Sequence, residues 1–358
     1  MRAFLVLAIT LLTTYSALAQ PFAYIGDFND DIVNVIDTST NEIIESIGVG
    51  DGPLGVEVSP DGKFVYITNF NQPAPNGDVS VIRTETNSVV ATIPVGQRPR
   101  GVAVSPDSRR IYVANTQSNS ISVINASTNK VIKTIPDIIF PFGITVSRDG
   151  RFVYITNGIG TDTLTVVRTS TNTVEEIVPL GNTPFGMATS PNGALLYIAI
   201  FEDNQVAVMK TLGNNVVDLI DVGQGAEFIA INQDGSLLYV TNFLEDTVSV
   251  IETFGNSVIA TIPVGDGPQG IAITPDDQFI YVVNAIDTFV SVIRTSDNAV
   301  VDEIEVGVGS IALGTFIVPP PPLPRTPVPT LSQWGLLMMV GILGTIGFIA
   351  IRRKRALA

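Results

Sequence analysis

The absence of two residue types limits the chemistry that this sequence can support. It contains no histidine and no cysteine. Serine or cysteine nucleophiles that depend on a histidine base are therefore excluded, as are zinc, copper or haem sites with His or Cys ligands. Carboxylate chemistry remains, because 34 aspartates and glutamates are present. They form no Asp-x-Asp-x-Asp-Gly calcium loop, and we expect no metal and no cofactor.

One set of equivalent positions combines charged, amide and aromatic side chains. Each position starts the first strand of a repeat, and we expect them to form a ring at the mouth of a central channel. The members of this top ring are Leu54, Arg100, Phe142, Phe185, Glu227, Gln269 and Ile311. Such a mixture can line a small binding pocket. Alternatively, the phenylalanine side chains simply close the channel.

Five aspartates precede the third strand of their repeats and are also candidates for carboxylate chemistry. We interpret them as turn caps, because aspartate favours tight turns. They are Asp31, Asp78, Asp162, Asp246 and Asp287.

The elements that position these residues follow from a repeat marked by tyrosine. Successive marker tyrosines are 42, 46, 42, 43, 42 and 42 residues apart. A period in the low forties is typical of a repeat architecture. The markers are Tyr24, Tyr66, Tyr112, Tyr154, Tyr197, Tyr239 and Tyr281.

Each repeat predicts four short antiparallel strands, A to D. Residues 101–105, 65–68, 248–251 and 258–262 are examples of the successive strands, rich in Val, Ile, Tyr and Thr. Pro-Asp-Gly at 60–62 predicts a tight A–B turn. Asparagine recurs in all seven C–D turns, where we expect a left-handed conformation.

The register of the repeats predicts how the ring closes. The first copy begins with strand B at 22–25, whereas the last ends with strand D near Val306. A leftover strand at 311–318 then supplies the missing strand A to the N-terminal blade. The prediction is an all-β, seven-bladed β-propeller over about 22–318, within a domain of 20–318.

The motifs in these strands resemble a known family. Tyr-Ile-Thr-Asn at 66–69 and 154–157, and Tyr-Val-Thr-Asn at 239–242, are similar to the YVTN-repeat β-propellers of microbial cell-surface proteins. The resemblance covers all seven repeats, although the copies at 24–27 and 197–200 depart from the motif. It implies the propeller fold, and it does not fix a function.

The N-terminus predicts an export signal. Residues 1–19 contain Arg2, an apolar run and a small-x-small end, which are the marks of a signal peptide. We expect signal peptidase to cleave between Ala19 and Gln20.

The composition changes after the last strand. A proline-rich linker, 319–327, leads to a motif at 328–335. An apolar segment, 336–351, then predicts one transmembrane helix, and a basic tail at 352–355 should stay cytoplasmic. The alternative is a plain membrane tail without a sorting role.

This C-terminal region, 328–355, resembles the IPTL-CTERM sorting signals of Gram-negative envelope proteins. The matching residues are Pro329, Thr330, Leu331, Trp334 and Gly335, while Val328 replaces the family's isoleucine. The resemblance implies recognition by an exosortase-type enzyme at the inner membrane, then removal of the tail. The protein would then be displayed on the cell envelope or surface, or secreted.

The charge balance limits the partners. Residues 20–318 carry all 34 acidic but only 13 of the 19 basic residues, a net charge of −21. Such a surface repels nucleic acid and anionic lipid.

Three functions remain open. We expect the B–C and D–A loops to share the top face, where sequence diverges between repeats, either because a site is built there or because tolerant loops drift. The leading hypothesis is a non-enzymatic module that binds a surface protein or glycan through the top ring. One alternative is a lactonase-like or other hydrolase that uses top-face carboxylates, and another is a structural envelope component.

Overall fold

The computed structural model describes residues 21–318 except 71–75 and 159. Its sheets are seven four-stranded antiparallel blades, which confirms the all-β, seven-bladed propeller. Within each blade the strands follow one another in space as they do along the chain, apart from the blade that the closing strand completes. The signal peptide, the linker, the sorting motif and the C-terminal helix lie outside the described residues. Within the described part, no helix is long and apolar enough to cross a membrane.

The strands have nearly uniform lengths, as expected for a repeat. Blade 1 contains β1 (Phe22–Asp27), β2 (Ile32–Asp37), β3 (Glu42–Gly48) and β28 (Ser310–Ile311). Blade 2 contains β4 (Pro53–Val58), β5 (Phe64–Asn69), β6 (Asp78–Arg83) and β7 (Ser88–Pro94). Blade 3 contains β8 (Pro99–Val104), β9 (Arg110–Asn115), β10 (Ser120–Asn125) and β11 (Lys130–Ile135). Blade 4 contains β12 (Pro141–Val146), β13 (Phe152–Asn157), β14 (Thr163–Arg168) and β15 (Thr173–Pro179).

The remaining blades continue the pattern. Blade 5 contains β16 (Pro184–Thr189), β17 (Leu195–Ile200), β18 (Gln205–Lys210) and β19 (Asn215–Asp221). Blade 6 contains β20 (Ala226–Ile231), β21 (Leu237–Asn242), β22 (Thr247–Glu252) and β23 (Ser257–Pro263). Blade 7 contains β24 (Pro268–Ile273), β25 (Phe279–Asn284), β26 (Phe289–Arg294) and β27 (Ala299–Glu305).

The repeated tyrosine and asparagine join neighbouring blades. All seven marker tyrosines are almost fully buried. The Tyr24 hydroxyl donates to Asn87 Oδ1 of blade 2 at 2.7 Å, and the Tyr281 hydroxyl donates to Asn41 Oδ1 of blade 1 at 2.5 Å. Asn41 and its six equivalents have positive φ, between 45° and 58°, which confirms the left-handed turns. At these two blade junctions the asparagine therefore serves both as a turn residue and as the acceptor of an inter-blade bond.

Glycine allows the innermost strands to approach one another. A Cβ atom on Gly55 would lie 2.1 Å from the Arg100 carbonyl oxygen, and one on Gly101 would lie 2.4 Å from the Phe142 carbonyl oxygen. Real Cβ atoms do not approach oxygen so closely, so the third position of the innermost strand requires glycine in these blades. The residue just before each of these two glycines is Leu54 or Arg100.

The closing segment joins the two ends of the propeller. In the register of β28 with β1, Ser310 faces Asp27 and Ile311 faces Gly26. The chain then runs between blades 1 and 2: Tyr24 N donates to Phe316 O at 2.9 Å, and Val58 N donates to Thr315 O at 3.0 Å. The predicted closure by a C-terminal strand is confirmed, although the regular strand is shorter than expected.

Candidate functional site

The top ring is built from one position of the fold. Its members all lie second in the innermost strand of their blades, immediately after Pro, Ala or Ser. Glu227, Leu54 and Phe142 are buried, whereas the other four are partly buried. The members therefore occupy one equivalent position in all seven blades.

A buried carboxylate dominates the polar side of the ring. Glu227 is only 4% exposed, and its Oε1 accepts a 2.8 Å hydrogen bond from Gln269 Nε2. Desolvation raises the pKa of Glu227 to about 7, against the opposing effects of the Gln269 hydrogen bond and the positive charge of Arg100. Glu227 is therefore partly protonated near neutral pH, when it can exchange a proton.

The same three side chains leave buried polar atoms without partners. Glu227 Oε2, Gln269 Oε1 and Arg100 Nε have no hydrogen-bond partner among the described residues. A buried donor or acceptor without a partner is costly, at about 1–3 kcal/mol each. Three such atoms lie together in the top ring, where each leaves one hydrogen-bonding position open to water or a ligand.

Arg100 is held by aromatic rings. Its guanidinium carbon lies 4.8 Å from the centroid of Phe142 and 5.6 Å from that of Phe70. Burial lowers the pKa of Arg100, while Glu227 opposes this shift. Since no ion pair within 4.0 Å joins Arg100 to Glu227 in the described part of the chain, the cation attracts the carboxylate across a gap.

Phenylalanines cover the other side of the ring. The rings of Phe142 and Phe185 lie 4.4 Å apart between centroids, and Phe185 meets Phe201 edge-on at 5.3 Å. Leu54 and Phe142 belong to a hydrophobic cluster with Phe228, against which Phe185 and Ile311 also pack. Apolar packing thus fills one side of the top ring, whereas the polar side chains on the other side have atoms without hydrogen-bond partners within the described residues. The use of the ring as a binding site stays a prediction.

A cavity of about 260 Å³ occupies the channel below the ring. Phe142 and Phe228 contribute to its wall, as do the middle and lower parts of the innermost strands. Glu57 and Arg148 are its only charged lining residues. Sequence reasoning missed Glu57, although a signal existed. On the innermost strands of blades 3 to 7, the residue that pairs with the marker tyrosine is alanine or threonine. In blade 2 the corresponding residue is Glu57, which pairs with Tyr66.

The candidate aspartates make local structural contacts. Asp31, Asp162 and Asp246 have positive φ. Their carboxylates accept backbone N–H bonds from Gly52 at 2.8 Å, Thr183 at 3.1 Å and Gly267 at 2.9 Å, each at the start of the next blade. Asp287 likewise accepts from Asp266 N at 2.6 Å, and Asp78 accepts from Asn69 Nδ2 at 2.6 Å. These contacts support the interpretation of Asp31, Asp162 and Asp246 as turn residues, whereas Asp78 is the first residue of β6 and not part of the turn before it.

Two family descriptions match parts of the chain. Residues 326–354 match the IPTL-CTERM motif, so the chain carries this sorting signal. Residues 38–135 match the family described as Lactonase, 7-bladed beta-propeller. The C-terminal motif indicates an exported or cell-surface protein that a sorting system recognises. The comparison with curated proteins finds no match.

Solved structures share the fold at low identity. A periplasmic gluconolactonase from Pseudomonas aeruginosa is 17% identical, with a TM-score of 0.71 over 84% of this chain and 100% of that one. A putative 6-phosphogluconolactonase from Bacteroides uniformis is 18% identical, with a TM-score of 0.70 over 82% and 98%. A hydrazine synthase chain from Kuenenia stuttgartiensis is 21% identical, with a TM-score of 0.69 over 76% and 92%. Likeness at this level shows the propeller fold alone.

The comparisons correct one prediction. The chain was expected not to be an enzyme, and this is wrong, because residues 38–135 match a lactonase family. The reason for the error is physical: without histidine or cysteine the sequence offers no familiar nucleophile, and the raised pKa of Glu227 depends on burial that the sequence does not display.

Proposed function

We propose that this protein is an exported hydrolase that opens lactone-type cyclic esters at the top ring. The observation that carries the proposal is the buried Glu227 carboxyl, whose pKa of about 7 and unpartnered Oε2 suit a general base. The match of residues 38–135 to the lactonase family supports the choice of substrate class. The matched region includes Arg100, the cation that acts on Glu227.

The proposed reaction uses Glu227 as the proton carrier. Ionised Glu227 takes a proton from water while the water oxygen attacks the carbonyl carbon of the lactone. Negative charge then develops on the carbonyl oxygen, where the Arg100 guanidinium stabilises it. The ring C–O bond breaks, and Glu227 returns its proton to the leaving alkoxide oxygen. The product is an open-chain hydroxy acid, and one water is consumed.

The other ring members position these two groups. The Gln269 amide holds Glu227 Oε1, which leaves Oε2 for water. The faces of Phe142 and Phe70 hold the Arg100 guanidinium. Partly buried Phe185 and Ile311 supply apolar surface for the carbon skeleton of a substrate. The ring thus combines a base, a cation and an apolar wall.

A matched pair of glutamate variants tests the proposal. The full chain is assayed on a panel of γ- and δ-lactones by continuous acid release, with Glu227→Gln as the active-site variant. Glu85→Gln, in an exposed turn, is the control. We expect Glu227→Gln to lower kcat about 10²–10⁴-fold, the usual contribution of a general base, and Glu85→Gln to leave it unchanged. Equal turnover by wild type and Glu227→Gln would refute the assignment.

We also propose the route by which the protein reaches its place of action. Signal peptidase removes 1–19, the segment 336–351 stops transfer in the inner membrane of a Gram-negative cell, and an exosortase-type enzyme processes the motif at 328–335. The IPTL-CTERM match supports the last step. A surface protein or glycan as a further partner of the top face stays a prediction.

A further inference from the structure

The channel cavity contains a second polar arrangement, separate from the top ring. Glu57 lies near the lower end of β4 and lines the cavity. Thr315 N donates a 3.0 Å hydrogen bond to its Oε2. The Thr315 side chain also hydrogen-bonds to this carboxyl group, which is partly exposed.

The closing segment makes room for this carboxyl group. Gly314, next to Thr315, has a φ of 137°, and a Cβ atom there would lie 3.3 Å from Glu57 Oε2 and 2.3 Å from the Val56 carbonyl oxygen. Any side chain at 314 would therefore disturb the backbone and crowd the carboxyl. Glu57 therefore lies where the closing segment offers a glycine, Gly314, and a backbone N–H donor, that of Thr315.

The rest of the wall is small, apolar or hydroxylic. Positions equivalent to Glu57 are alanine in blades 3, 5, 6 and 7 and threonine in blade 4, which leaves the space open around the axis. Thr145, Thr189 and Thr315 add hydroxyl groups, and exposed Arg148 adds a positive charge. A volume of 260 Å³ is just below the range of about 300–1,000 Å³ typical of ligand sites, so the occupant must be small.

The charge state of the cavity decides the class of ligand. Burial raises the pKa of Glu57 to about 8, against the opposing Thr315 hydrogen bonds, so this carboxyl is mostly neutral at pH 7. A neutral carboxyl donates a hydrogen bond from O–H and accepts another at its second oxygen. With Arg148 as the other charged residue of the wall, the cavity is positive and rich in hydroxyl partners.

We propose that the central channel binds a small hydroxycarboxylate, whose carboxylate pairs with Arg148 and whose hydroxyl groups bond to Glu57 and the threonines. This site lies beneath the top ring and does not depend on the proposed lactone hydrolysis. Hydroxycarboxylates are also the class of compound that such hydrolysis would release, so the channel is suited to bind a product-like acid.

Calorimetry on the full chain tests the proposal with lactate and gluconate as probes and propane-1,2-diol as the uncharged analogue of lactate. We expect at least one of the acids to bind saturably and the diol not to bind. Arg148→Gln should weaken binding about tenfold or more, because a charge-assisted pair is lost. Arg109→Gln is the matched control, since Arg109 is an exposed arginine outside the cavity, and it should change nothing.

Two further measurements separate this site from the top ring. Binding should weaken as pH rises through about 8 in the wild type, since ionised Glu57 repels the anion, whereas Glu57→Gln should bind without this dependence. Glu227→Gln should bind like the wild type. The proposal is overturned if neither acid binds, if Arg148→Gln and Arg109→Gln behave alike, if Glu57→Gln keeps the pH dependence, or if Glu227→Gln abolishes binding.

Discussion

Replacing Phe316 with alanine should destabilise the propeller strongly, because this side chain anchors the non-covalent closure. Phe316 is 0% exposed in the core cluster that contains residues of blades 1, 2 and 7. Removing a fully buried phenylalanine side chain typically costs about 3–5 kcal/mol. Domain stability is usually about 5–15 kcal/mol, so one substitution would remove a large share of it.

The chain provides a control with the same chemistry. Phe254 is 99% exposed in the C–D turn of blade 6, so Phe254→Ala should change stability by less than about 0.5 kcal/mol. Both variants and the wild type are unfolded in urea and followed by far-ultraviolet circular dichroism, and free energies come from linear extrapolation. The closure argument is refuted if Phe316→Ala unfolds at the wild-type midpoint, or if Phe254→Ala is destabilised equally.

Three other predictions follow from the same structure. Asn256→Val should cost about 1–3 kcal/mol, because Asn256 has a φ of 48°, whereas Asn256→Gly should be tolerated; thermal unfolding of both variants checks this. Glu57 has a raised folded-state pKa, so its favourable contribution to stability is complete below about pH 4.5 and is lost as pH rises to about 8. The urea midpoint of Glu57→Gln should therefore rise relative to that of the wild type between these pH values. A difference in midpoint that does not change with pH would contradict this prediction. Replacing Pro329 and Thr330 with alanine should leave a longer, membrane-retained form in the native host, and mass spectrometry that finds Ala358 on surface-located wild-type protein would argue against processing.

Local repetition in the sequence determined the architecture. The tyrosine period, the asparagine turns and the displaced strand at 311–318 predicted seven blades and their closure, all of which the structure confirms. This works because each blade is a local antiparallel unit whose turn and strand signals lie within about forty residues. Because the chain contains several copies of the same unit, a turn residue that recurs in every copy can be recognised by comparing the copies within one sequence.

Contacts between distant repeats decided the candidate sites. The sequence placed Arg100, Glu227 and Gln269 in one ring, but only the tertiary structure showed that Glu227 is buried, bonded to Gln269 and left with a free oxygen. Glu57 is the clearer case, because its environment depends on Gly314 and Thr315, more than 250 residues away along the chain. Desolvation is the main cause of the raised pKa of Glu57 and of Glu227, and it is a property of the closed ring, which no single repeat contains.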